Sequence, residues 1–257
     1  MTAPKNTWNR ILSLLKESGV VHFTLIDPDP SKQTSANAAK IARLAEEAGS
    51  NAIMVGGSTA FGVIDETIKE IKKLVKIPII LFPGNISGLS RYADAVFFMS
   101  LLNSRNPYWL IDVQALGARY IKAFNLETIA MGYLIVAPGG TAGYIGDARL
   151  IPREKSDIAL GYALAAQYFG FNLLYLEAGS GAENAVPLPM IEKVAKYLDI
   201  PLAVGGGINS PEQAAAIVKA GADIIVQGTI VENTILQDGG NQLRQTIESI
   251  HQAKRKR

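Results

Sequence analysis

Tyr175 and Glu177 stand two residues apart at the end of the apolar run Leu173-Leu174-Tyr175-Leu176-Glu177. In an extended strand, residues i and i+2 share a face, so Leu174 and Leu176 take the opposite one. A carboxylate beside a phenol on an inward face is equipped to take a proton from a hydroxyl; a purely structural Glu–Tyr hydrogen bond is the plainer alternative. Asp27 closes a second apolar run and opens the turn Asp27-Pro28-Asp29-Pro30. It reads either as a turn cap or as a ligand for Mg²⁺, which typically takes one or two protein carboxylates and completes its shell with substrate phosphates. Ser58, after Gly56-Gly57, offers a neighbouring oxygen or is only part of a turn. His22 and His251 sit mid-strand and near the C-terminal end, and read as structural or exposed rather than catalytic. No pair of histidines is spaced for zinc.

A third cluster is chemically different. Leu202-Ala203-Val204 runs into Gly205-Gly206-Gly207, and Ser210-Pro211-Glu212-Gln213 then carries the signature of a helix start. Serine suits the N-cap, proline the first helical position, and glutamine three residues on completes a capping box. Residues without Cβ admit a ligand against the backbone, and the helix start presents unpaired N–H groups to an anion. One strand and helix later, Ile224-Ile225-Val226-Gln227-Gly228-Thr229 repeats the pattern. Two successive strands ending in glycine describe the phosphate site between the last two strands of a (β/α)8 barrel.

These residues need a scaffold that brings strand ends together. The 257 residues match the usual length of one such barrel. After an opening helix over Thr7 to Glu17, strands are expected at about 20–27, 51–55, 77–82, 95–100, 129–136, 173–176, 202–205 and 224–227. Helices are expected between them at 34–48, 61–75, 108–116, 157–169, 189–197 and 211–220, with a closing helix over 242–254. A long loop from Pro138 to about Lys155 has the length of a lid or binding segment. One crossover breaks the pattern: Ile86 to Asp94 is too short for an ordinary connecting helix. The expectation is a TIM barrel, α/β, occupying residues 1–257 as a single domain.

Composition narrows the class. A net charge of +2 gives no electrostatic case for nucleic-acid binding, and the basic tail Lys254 to Arg257 reads as a solvated helix end. The absence of cysteine excludes disulfides and thiolate metal sites and agrees with a cytoplasmic location. No signal peptide is visible. Ile158 to Leu176 lacks charge and approaches membrane-spanning length, but Gln167, Gly170 and Asn172 interrupt it. A buried helix followed by a buried strand is the expectation there.

The ordered set Phe23-Thr24-Leu25-Ile26-Asp27-Pro28-Asp29, Val55-Gly56-Gly57-Ser58, Phe82-Pro83-Gly84-Asn85, Tyr175-Leu176-Glu177-Ala178-Gly179-Ser180-Gly181, Val204 to Ile208 and Gly228-Thr229 resembles the geranylgeranylglyceryl phosphate synthases. Single motifs are common among barrels, whereas the set in this order is specific. The resemblance implies a TIM barrel without a regular third helix. It also implies a prenyltransferase that joins sn-glycerol 1-phosphate to geranylgeranyl diphosphate with Mg²⁺, in archaeal-type membrane phospholipid synthesis. Carried over by position, Asp27 and Ser58 would bind Mg²⁺. Tyr175, Leu176, Glu177, Ala178, Gly179, Ser180 and Gly181, with Gly205, Gly206, Gly228 and Thr229, would bind glycerol phosphate. Glu177, beside Tyr175, would stand at the attacking hydroxyl. Leu25 departs from members that carry lysine there. The fuller motif at Tyr175 to Gly181 is similar to the group that forms larger homo-oligomers, dimer or hexamer, with at most a peripheral membrane contact. Related synthases using a longer prenyl diphosphate, other phosphate-binding barrel enzymes and a non-catalytic lipid- or phosphate-binding module are the competing readings.

Overall fold

The computed structural model describes residues 6–57 and 63–253. Among them, eight parallel strands close into a barrel in chain order: β1 Val21–Ile26, β2 Ala52–Val55, β3 Ile79–Leu81, β4 Ala95–Leu101, β5 Glu127–Ile135, β6 Leu173–Glu177, β7 Leu202–Gly205 and β8 Ile224–Gln227. Closure is made where β8 pairs with β1, Val226 opposite Phe23. The period-two pleat divides each strand. Val21 and Phe23 of β1, Ala203 of β7 and Ile224 and Val226 of β8 fill the interior, while Leu174, Leu176, Val204 and Ile225 face the surrounding helices.

Helix α1, Thr7–Ser18, is fixed to the barrel by the Glu127 carboxylate, which accepts the Thr7 and Trp8 N–H groups at 2.7 and 2.8 Å. Its Ile11 is wholly buried in the interior cluster. The outer layer follows as α2 Ser35–Ala48, α3 Ile64–Leu74, α4 Val113–Phe124, α6 Ser156–Tyr168, α7 Leu188–Tyr197, α8 Pro211–Ala220, α9 Thr229–Asp238 and α10 Asn241–Ala253, while the short α5 Gly140–Ile145 packs its Ala142 against the interior cluster. The segment from Ile158 to Leu176 divides into α6 and β6 at Gly170, φ 80°. Among the described residues no helix is long and apolar enough to cross a membrane.

The expected gap is present. Between β3 and β4 the chain makes only a 3₁₀ turn, Ile86–Gly88, with the Asn85 side chain accepting the Ile86 N–H at 2.7 Å. Three helical segments differ from expectation. A π-helical turn, Tyr108–Asp112, runs into α4, which continues past Gly117 to Phe124 and ends at Asn125 with φ 54°. The Pro138 loop contains α5, and α9 fills the stretch after Gly228.

Candidate active site

Glu177 is the last residue of β6 and only 6% exposed. Its carboxylate accepts the Gly179 N–H at 2.6 Å and hydrogen-bonds the Tyr175 hydroxyl. Burial pushes its pKa above the ordinary carboxylate value, with the two hydrogen bonds pulling back in part. Burial and the nearby carboxylate push Tyr175 well above 10, so the phenol stays protonated and donates. Tyr133 of β5 is raised in the same way. A buried carboxylate with a raised pKa and a fixed orientation is matched to accepting a proton near neutral pH.

Glu177 borders a pocket of about 420 Å³, including its open mouth, that is also lined by Tyr175, Ser180, Gly206, Gly228 and Thr229. Two helices start at its edge. Ser210 caps α8 by accepting the Gln213 N–H at 3.2 Å, and Gln213 accepts in return from Asn209 at 2.8 Å, one residue earlier than a standard capping box. Helix α9 begins at Thr229, whose hydroxyl meets that of Ser180 at 2.9 Å. The N–H groups at the α8 start are thus taken up by its own cap, whereas α9 has no side-chain cap, so its first-turn N–H groups beside glycine backbone make an anion seat. The triplet is also packed tightly against protein. A Cβ at Gly205 would collide with the Tyr175 hydroxyl, and one at Gly207, φ 68°, would lie 2.6 Å from the Asn184 carbonyl carbon.

Across the mouth, Asp27 follows β1. Its carboxylate accepts the Asp29 N–H at 3.2 Å, an Asx-type turn, and pairs with the Lys32 ammonium, which raises the lysine pKa. The turn-cap reading of Asp27 therefore holds, and the carboxylate also borders the second strand end, 3.1 Å from where a Cβ on Gly57 would sit. Glu232 of α9 accepts the Asp27 N–H at 2.9 Å and the Gln33 amide at 2.8 Å, and burial raises its pKa. Nothing in the sequence reading singled out Glu232, because α9 itself was not anticipated. Among the described residues no group of three or more His, Asp or Glu side chains is gathered for a metal. The Asp27 carboxylate fits Mg²⁺ bound chiefly through phosphates.

A second cavity, about 820 Å³ including its open mouth, is walled by apolar side chains. It begins beside Phe82 and Tyr133, crosses the rim of β4 and continues down the flank between Leu89 and the Gly117 and Ile121 turns of α4. That flank is where the missing third helix would have packed. Phe82, Tyr133 and Tyr175 separate the two cavities, their ring centroids 5.3 to 5.9 Å apart.

The expected site residues thus divide. Tyr175, Glu177, Ser180, Gly181, Gly206, Gly228 and Thr229 line the polar pocket. Leu176 and Ala178 turn their side chains into the outer core, and Gly179 and Gly205 support Glu177 and Tyr175 from behind. Leu25 also lines the pocket. Ser58 and the basic tail lie outside the described residues.

Fold and site together define a phosphate-binding (β/α)8 barrel with an apolar annex. The PcrB family model matches residues 12–250, and the chain belongs to the PcrB family. It is 51% identical over 96% of its length, and over the whole of the relative, to geranylgeranylglyceryl phosphate synthase of Methanosphaera stadtmanae. The corresponding protein of Pyrococcus furiosus is 57% identical over 83% of this chain and 85% of its own. Among solved structures, (S)-3-O-geranylgeranylglyceryl phosphate synthase from Thermoplasma acidophilum, in complex with its substrate sn-glycerol-1-phosphate, superposes with a TM-score of 0.89 at 44% identity. It covers 94% of this chain and 98% of that one.

Proposed function

We propose that the chain is a prenyltransferase joining the 3-hydroxyl of sn-glycerol 1-phosphate to the allylic carbon of geranylgeranyl diphosphate. The observation that carries this reading is the juxtaposition of a small polar pocket, a buried carboxylate and an apolar trough, with three aromatic rings between them. The ester bond from the allylic carbon to diphosphate breaks and its electron pair leaves with the diphosphate. The glycerol oxygen forms the new ether bond, and its proton passes to the Glu177 carboxylate. Tyr175, kept protonated by burial, orients that carboxylate. Phe82, Tyr133 and Tyr175 present aromatic faces to the carbon that gains positive charge as the leaving group departs. The start of α9 and the Gly206–Gly207 backbone receive the glycerol phosphate.

Asp27, with Ser58 as a neighbouring oxygen, would hold Mg²⁺, which supplies charge neutralisation for the departing diphosphate. Lys32, already paired with Asp27, adds a second cation on the same side. Ile111, Leu116 and Tyr120, exposed along the π-helical turn and α4, support assembly into a homo-oligomer. The chain acts as a single unit in the cytoplasm, in membrane phospholipid synthesis, touching membrane at most peripherally. Incubation with labelled sn-glycerol 1-phosphate, Mg²⁺ and a panel of prenyl diphosphates, followed by organic extraction, tests the reading. Label entering the organic phase with geranylgeranyl diphosphate is the expected result; no transfer with any prenyl donor would sink it.

A further inference from the structure

His22 plays no part in the chemistry above, yet it is wholly buried and fully engaged. Its neighbours Val21 and Phe23 point into the barrel, so its ring lies on the outer side of β1. There Nε2 faces the Gln227 Oε1 at 3.2 Å and Nδ1 faces the Ser50 hydroxyl at 3.2 Å. Thr24 continues the network, its hydroxyl 3.1 Å from that of Ser50. The other end of Gln227 donates from Nε2 to the Ile208 carbonyl at 3.0 Å. That bond fixes the amide orientation: Oε1 can only accept, so His22 carries its proton on Nε2 and Nδ1 is the acceptor. Burial lowers the His22 pKa to about 4, which keeps the ring neutral near pH 7.

The chain of hydrogen bonds ends in the glycine turn. Ile208 and Gln227 both line the polar pocket, and Ile208 follows Gly206 and Gly207, whose φ values of 78° and 68° are left-handed. A turn of consecutive glycines has little conformational preference of its own, so something outside it must select one arrangement. We propose that His22 is a positioning residue for the glycerol phosphate seat, acting through Gln227 to hold the Ile208 carbonyl and the Gly205–Gly207 turn in the receiving conformation. The inference rests on the assignment of that pocket to glycerol phosphate.

Calorimetric titration of the unaltered protein with sn-glycerol 1-phosphate comes first, because no binding there fails the pocket assignment rather than the His22 proposal. Given binding, His22→Leu should raise Kd and KM for glycerol phosphate about tenfold, the worth of one buried hydrogen bond. Its kcat and its prenyl diphosphate affinity should stay within about twofold. His22→Gln, whose amide N–H reaches the Nε2 position, should restore binding. In a Gln227→Leu background, His22→Leu should add nothing. If His22→Leu does not fold, His22→Gln against His22→Asn decides, since asparagine is too short to reach Gln227; weakened binding confined to asparagine supports the proposal. Normal glycerol phosphate binding in folded His22→Leu would overturn it. So would equal loss of both substrates, equal behaviour of the two amides, or additivity with Gln227→Leu.

Discussion

Gly206 and Glu177 compete for one volume: a Cβ on the glycine would overlap the Oε1 of the glutamate. The same Cβ would lie 2.7 Å from the Gly179 nitrogen, the group that orients that oxygen. A glycine in the phosphate turn therefore also makes room for the proton acceptor. With φ at 78°, any side chain there carries a backbone penalty as well. Gly206→Ala should lower stability by about 1–3 kcal/mol and should depress turnover and glycerol phosphate binding together. Denaturant titration beside steady-state kinetics checks this; full activity with native stability would show that the turn can shift without moving Glu177.

Glu177→Gln keeps the shape and can still accept from Gly179, but cannot take the hydroxyl proton. We expect single-turnover rates to fall about 10²–10⁴-fold, with both substrates still bound. Because the folded pKa is raised, protonated Glu177 favours the fold at low pH. That contribution is lost as pH rises from the ordinary value of 4.5 through the folded one. The amide variant should therefore gain stability relative to the unaltered protein as pH rises, and the unaltered rate should climb over the same window. Parallel melting curves and rate profiles across pH would show both trends, and a flat comparison would count against a raised Glu177.

Asp27→Asn removes the charge that faces the mouth but leaves an acceptor for the Asp29 N–H. The Lys32 end of the ion pair is half exposed, so its loss should cost no more than about 1 kcal/mol of stability. Activity should fall steeply, and saturation with Mg²⁺ should move to higher concentration. Kinetics at graded Mg²⁺ give the answer; an unchanged Mg²⁺ requirement would reduce Asp27 to its turn.

Gly117 lies in α4 facing the trough, where an added Cβ would meet only the Leu89 methyl at an ordinary 3.5 Å. Gly117→Ala should therefore be accommodated and, by helix propensity, stabilise by about 0.5–1 kcal/mol. Gly117→Phe should fill the trough and shift preference toward shorter prenyl diphosphates. Competition between donors of different length, with product extraction, measures this shift. Unaltered donor preference with the bulky side chain in place would move the tail elsewhere.

Strand ends were the most legible part of the chain, because every apolar run except β4, which stops at Asn103, stops at Gly, Pro or a carboxylate. The pairing of Tyr175 with Glu177 followed from strand period alone. Helix α9 was hidden because Thr229 to Asp238 lacks a capping side chain at Gly228 and has a weak apolar stripe, Val231 and Ile235 being its buried residues. Glu232 was hidden with it. The extent of α4 was obscured by Gly117, a residue that usually ends helices yet here spares volume for the trough. Gln227 and His22 gave no local signal, since their link joins positions far apart in sequence. Leu176 belongs to the motif yet faces outward, as the strand period had it, and Ala178, just past the strand, does the same.

The helix missing between β3 and β4 has a consequence for how the two ends of the product are kept apart. A barrel shell sealed all the way round would leave a long hydrocarbon two options: to stand up into water from the mouth, or to displace the packed interior. With only Ile86–Gly88 in that place, the wall has a side exit lined by Leu89, Phe98 and Ile121. The polar pocket stays at the barrel mouth while the apolar trough opens through the side of the wall. The fold thus sorts an amphiphile by direction, and a greasy product can be released sideways without its headgroup leaving the mouth first.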